Sequence, residues 1–169
     1  MTNIVPYFYL FDRVGFPDNC YSIDLPENFK VYLLCDTMDR RKIFVQTDRE
    51  EFNLSNARDD TDVNRLFINL STRLSECETA MDIFSCYTRS DLHKAHETKI
   101  GSDFEPVYRL RKNNLRVYLI FIGSDIILFR LSTKDQDKIS KSEAKKLDDR
   151  VKAIFKYSYN SKEFLRRLL

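Results

Sequence analysis

The chain of 169 residues is 43% hydrophobic and 32% charged, with three glycines and four prolines; this suits one ordinary domain with its own core and excludes disorder over most of the length. No repeat at a solenoid period and no low-complexity tract is visible. The formal net charge of +2 conceals an asymmetry: residues 1–103 carry 12 Lys/Arg against 18 Asp/Glu, and residues 104–169 carry 16 against 8, so an acidic first part joins a basic second part, either to pair with it or because the basic part meets phosphate.

The first segment, "MTNIVPYFYLFDRVGF", lacks a basic start, is interrupted by Pro6 and ends at Asp12 and Arg13, so it is not expected to act as a secretory signal. Residues 1–28 are rich in aromatics and turn formers. They read as an N-terminal extension packed on a domain of residues 29–169, because "YFYLF" is too apolar to stay in water. "FKVYLLCDT" (29–37) has strand composition, "MDRR" suits a turn, and "KIFVQTD" (42–48) reads as a second strand. Residues 49–60 are polar and acidic, hence a loop or frayed helix.

In "TDVNRLFINLSTRLSEC", Val63, Leu66, Phe67, Leu70 and Leu74 follow helical spacing over 61–77, with Thr61 or Asp62 as cap. "TAMDIFSCYTR" continues as a second helix or an extension, and "SDLHKAHETKIGSD" reads as a polar connector. Three strands follow, near 107–112, 115–122 and 125–131. After the loop "STKDQDKI" comes a helix, "SKSEAKKLDDRVKAIFKY", with Ser140 and Glu143 in capping-box spacing and an apolar stripe of Ala144, Leu147, Val151, Ile154 and Phe155. A last short helix is expected after Asn160 or Ser161. The run "VYLIFIGSDIILF" is broken by Gly123, Ser124 and Asp125, so no membrane span is expected. Cys20, Cys35, Cys77 and Cys86 read as reduced thiols, and the location as cytoplasmic.

The stretch "VYRLRKNNLRVYLIF" (107–121) holds three arginines within eight residues around an Asn-Asn pair. Asparagine tolerates positive φ, so Asn113-Asn114 suits a two-residue type I′ turn. That register sets Arg111 opposite Arg116, Arg109 opposite Tyr118 and Val107 opposite Ile120. Arg109, Arg111, Arg116 and Tyr118 then share one face, and Tyr108, Leu110, Val117 and Leu119 the other, which is the face helices are expected to cover. Two arginines opposite each other repel. The cost is tolerable on a wet face and useful where guanidinium forks receive phosphate. The alternative is a solvated face whose arginines pair with acids of the first half.

The order "YRLRKNNLRVYLIFIGSDIILFRLSTKDQDKISKSEAKKLDDR" resembles the C-terminal half of the RelE/ParE toxin superfamily, above all its HigB-like branch. The matching pieces are Leu110-Arg111, Leu115-Arg116-Val117, Gly123, Ile126 to Phe129, Lys134-Asp135-Gln136, and Glu143 with Arg150. "VNRLFINLSTRL" resembles the family's first helix and "FKVYLLC" its first strand. The match covers about residues 104–155, and 29–90 more loosely; residues 1–28 have no counterpart. Thr133 stands where a second basic residue is common, Asp135 and Asp137 make the loop acidic, and no histidine lies in the basic half.

The resemblance implies an α+β fold, an antiparallel sheet packed by helices, and the toxin component of a type II toxin–antitoxin system. The activity implied is metal-independent, ribosome-dependent mRNA cleavage without a cofactor. The partners would be a cognate antitoxin protein and mRNA on the ribosome, with no membrane and the oligomeric state open. ParE-like relatives bind gyrase instead, and the acidic loop is compatible with a catalytically silent binding protein. Arg116 and Lys134 match the family's basic site residues, with Arg111 and Tyr118 beside Arg116. Arg109, Lys112, Lys138 and Lys141 are the candidates for holding RNA backbone, and Tyr157 or Tyr159 is a further candidate to enter the site. Cys86, His93 and His96 fit no closed zinc spacing, so no metal is expected.

Overall fold

A computed structural model of the protein describes residues 6–10, 27–37, 44–51, 61–133 and 138–158. Their strands are β1 (Tyr7–Leu10), β2 (Val31–Cys35), β3 (Leu92–Ile100), β4 (Asp103–Lys112), β5 (Leu115–Ile122) and β6 (Asp125–Thr133). The helices are α1 (Gln46–Glu51), α2 (Thr61–Ser75), α3 (Ile83–Cys86, entered through a 3₁₀ turn at Ala80–Asp82) and α4 (Lys141–Ser158). The class is α+β. The expected last helix after Asn160 or Ser161 lies outside the described residues.

The six strands form one sheet in the order β1-β2-β6-β5-β4-β3. β3 to β6 run antiparallel through short turns, with Gly101 and Gly123 at positive φ (63° and 58°). The sheet is mixed, not antiparallel as expected, because β2 pairs parallel with β6. A parallel pair needs a long crossover, and the chain between β2 and β6 supplies it by way of the helices and the meander. β1 adds to the outer side of β2, with Phe8 opposite Leu34.

Each face of the sheet carries a core. Val31, Leu33, Leu110, Val117, Leu119 and Leu128 pack with Val63, Leu66, Phe67, Leu70 and Leu74 of α2. On the opposite face Phe8, Tyr32, Tyr118, Ile120, Ile127 and Phe129 pack with Leu147, Val151, Ile154 and Phe155 of α4. Full burial of one such side chain stabilises by about 1.5–3 kcal/mol. Leu147, Val151, Ile154 and Phe155 of the expected stripe are buried, whereas Ala144 is half-buried. Helices therefore cover both faces of the central strands, including the arginine-bearing face that alternation had left to solvent.

Three local expectations change. "KIFVQTD" does not form a strand over its described part: the side-chain oxygen Oδ2 of Asp36 accepts from the Gln46 N–H (3.0 Å), and α1 begins there. Phe44, at a φ of 61°, enters the α2 core, while its neighbour Val45 enters the α4 core; the tertiary demand for both overrides strand propensity. "LHKAHETKI" is strand β3 rather than a connector. As the sheet edge it exposes Lys94, Glu97 and Lys99, buries Leu92 and Thr98, and has a bulge between Lys94 and His96, the polar, irregular make-up by which edges avoid further pairing. At 113–114 the register is the expected one, yet only Asn113 has positive φ (52°), so the turn departs from type I′.

Candidate functional site

The register of β3 to β6 aligns two rows of side chains across the sheet. His93 pairs with Arg109, Arg109 with Tyr118, and Tyr118 with Arg130; in the adjacent row Arg111 pairs with Arg116 and Arg116 with Ser132. Arg109, Arg116, Tyr118, Arg130 and Ser132 are all buried and form the floor of a cleft of about 260 Å³. Its roof is the start of α4 and the residues before it: Lys138, Ile139, Ser140, Ser142, Glu143 and Lys146. Among the described residues, Thr133 and Glu51 also line the cleft.

Ser140 caps α4: its hydroxyl accepts from the Glu143 N–H at 3.1 Å, which is half of the expected capping box. The Glu143 carboxylate does not reach back to close the box. It turns to Arg130 instead, accepting from Nε and Nη2 at 2.9 Å each. Below this pair lies Asp48 of α1, fully buried, which accepts from Arg130, from both terminal nitrogens of Arg150 (2.6 and 3.0 Å) and from the Leu131 N–H (3.0 Å). Arg150 also donates to the Phe129 carbonyl at 3.1 Å. Glu143 and Arg150, matched by sequence to a helix motif, thus act as struts joining α4 to β6 and α1. Burial lowers the Arg130 pKa, but the Glu143 hydrogen bonds and the charges of Asp48, Glu143 and Glu51 more than reverse this and leave it raised.

With Arg130 held by these acids, Arg109, Arg116, Lys138 and Lys146 supply the remaining cationic lining among the described residues. Arg109 is only 8% exposed. Its Nη2 donates to Nε2 of His93 at 3.2 Å, and its Nε has no hydrogen-bond partner among the described residues. Arginine only donates, so that imidazole nitrogen must accept, which puts the ring proton on Nδ1. A guanidinium that lines the cleft floor can donate to an anion there. Hydroxyls of Ser132, Thr133, Ser140 and Ser142 stand around the same space, and the α4 N-terminus adds partial positive charge.

Of the residues singled out by sequence, Arg109, Arg116, Tyr118 and Lys138 converge here. Arg111 is half-buried in the row of Arg116, and Lys112 and Lys141 are exposed; none of the three lines the cleft. Lys134 and Tyr159 lie outside the described residues, as does the side chain of Tyr157. Sequence reasoning missed Arg130, Asp48 and Lys146, and weighed His93 only as a zinc ligand. Arg130 did leave a signal, as the one charge inside the apolar run "IILFRL". His93 left none, because it enters the row only through the edge strand.

Among the described residues no group of three or more His, Cys, Asp or Glu side chains is arranged to hold a metal ion, and no helix is long and apolar enough to cross a membrane. Cys35, Cys77 and Cys86 are free thiols. Comparison with protein-family models, curated proteins and solved structures finds no match for the chain.

Proposed function

We propose that the cleft receives the phosphate backbone of RNA, and that the protein is the toxin component of a type II toxin–antitoxin pair, an mRNA endonuclease of the RelE/ParE kind with a HigB-like arrangement. The observation that carries this reading is the convergence of Arg109, Arg116, Tyr118 and Lys138 on one cleft beneath the α4 N-terminus. The element order supports it as well: a first strand β2, a helix α2, the antiparallel β4-β5-β6 and a closing helix α4 follow the order of the motifs that carry the resemblance.

In this reading an RNA 2′-hydroxyl attacks the adjacent phosphorus. A P–O2′ bond forms, the P–O5′ bond breaks, the hydroxyl proton passes to solvent water and the 5′-oxygen gains a proton from the protein, which solvent then restores. Arg109 and Arg116 stabilise the charge that grows on the phosphorane, where preorganised donors are most effective. The Tyr118 hydroxyl protonates the leaving oxygen, and Lys138 at the rim holds flanking backbone. The partners are mRNA on the ribosome and a cognate antitoxin.

One observation favours a second, binding-only reading. Among the described residues both carboxylates of the cleft are engaged, Glu143 with Arg130 and Glu51 with Arg130 (3.3 Å) and Lys146 (3.9 Å), so neither of these two stands free to take the 2′-hydroxyl proton. Inducible expression separates the readings. Growth arrest with mRNA cleavage, relieved by Arg116→Lys in a protein that stays folded, is the expected result. RNA binding that weakens with salt, without cleavage or arrest, would establish the binding-only role. Arrest with DNA damage and no RNA binding would replace both with a gyrase inhibitor.

A further inference from the structure

Resting on the phosphate-cleft reading, we infer that His93 is the positioning residue for Arg109, and that it makes anion binding at the cleft proton-linked. The geometry is a relay along one row of the sheet. His93 on β3 pairs with Arg109 on β4, and Arg109 pairs with Tyr118 on β5 at the cleft floor. The 3.2 Å contact from Arg109 Nη2 to His93 Nε2 steers a guanidinium whose Nε has no partner among the described residues. Only a neutral imidazole accepts that bond.

The charged groups facing His93 are Arg109 and Arg111 from β4 and Arg116 from β5. The second histidine, His96, is turned to α4, where it shares the Asp148 carboxylate with Thr98 (2.8 Å each). Burial first, and then the positive field of these arginines, holds the His93 pKa below its ordinary value, so with no anion bound the ring is neutral above about pH 6.5 and accepts from Arg109. An anion at the cleft offsets that field. Protonation of His93 then costs the acceptor bond but sets a new positive charge one side chain, that of Arg109, away from the cleft. By linkage, an anion that raises the His93 pKa must itself bind more tightly as pH falls, by at most about tenfold per pH unit for one proton.

The test uses inorganic sulfate, whose charge is constant over the pH range, as the probe. The His93 ring is followed by NMR across pH 5 to 8 with and without sulfate, and sulfate affinity is measured at both ends of that range. The expected result is an Nδ1-protonated tautomer in the free protein, an upward shift of the His93 titration with sulfate, and a gain in affinity on acidification on the order of fivefold or more. His93→Gln, whose carbonyl still accepts from Arg109, should bind sulfate near pH 8 like the parent but lose the pH dependence. His93→Ala should also lose affinity near pH 8, and His96→Gln should keep the pH dependence. Sulfate binding that leaves the His93 titration unmoved, or a pH dependence that survives in His93→Gln, overturns the inference and leaves the cleft reading standing. Failure of the parent protein to bind either sulfate or RNA overturns both.

Discussion

Arg130 and Glu143 meet fork to fork, Nε to Oε1 and Nη2 to Oε2, both at 2.9 Å. This joins the middle of a buried strand to the first turn of the helix that roofs the cleft, a planar two-bond geometry that lysine cannot reproduce. Glu143→Ala should destabilise the fold by about 1.5–3 kcal/mol, the usual worth of hydrogen bonds to charged groups. Asp48→Ala leaves Arg130 and Arg150 both buried without their shared carboxylate, and should cost about 3–5 kcal/mol. Urea denaturation checks both values; equal midpoints for the two variants would contradict the ranking.

The N-terminal strand carries real packing. Phe8 is fully buried between β2 and the α4 core, so Phe8→Ala should lower stability by about 3–5 kcal/mol. A midpoint within error of the parent would mean that β1 leaves the sheet in solution.

Acid should weaken the fold in two steps. The His93 pKa is lowered, by burial and then by Arg109. The unfolded chain therefore takes up this proton first, and stability declines as pH falls from about 6.5 through the lowered folded value. His93→Gln should remove this step. At lower pH, Asp148 stays ionised below the ordinary carboxyl range: burial pushes its pKa up, but hydrogen bonds from His96 and Thr98 and the charges of His96 and Lys152 outweigh that. Its contribution is present above about pH 4 and is lost as pH falls through the lowered value. His96→Ala should flatten that limb. Denaturation midpoints across a pH series read both steps.

The Cys77 and Cys86 sulfurs lie 3.7 Å apart as free thiols that share a hydrogen bond. Burial, then the hydrogen bond and charge of Cys86, push the Cys77 thiol up to about 12. Iodoacetamide at pH 8 should therefore spare Cys77 in the folded protein and modify it in urea, because the thiolate is the nucleophile. Mass spectrometry of digests gives the answer, and rapid native labelling would refute it.

What the sequence determined by itself was local. Alternation with period two and an Asn-Asn pair put Arg111 opposite Arg116 and Arg109 opposite Tyr118, and that register is the one observed. Helical spacing marked the buried stripes of α2 and α4 for the same reason: periodicity depends only on near neighbours along the chain. Tertiary structure decided what those faces meet. Alternation tells which side chains share a face but not whether a helix covers it, and α4 turned the expected wet face into a cleft floor. It also brought Asp48 to Arg130 across 82 residues, and set His93, in a stretch that read as a connector, beside Arg109. An edge strand keeps polar side chains because one flank stays in water, so its composition resembles a loop; its strand character, and with it the fourth member of the row across the sheet, arises only when β4 supplies the hydrogen bonds.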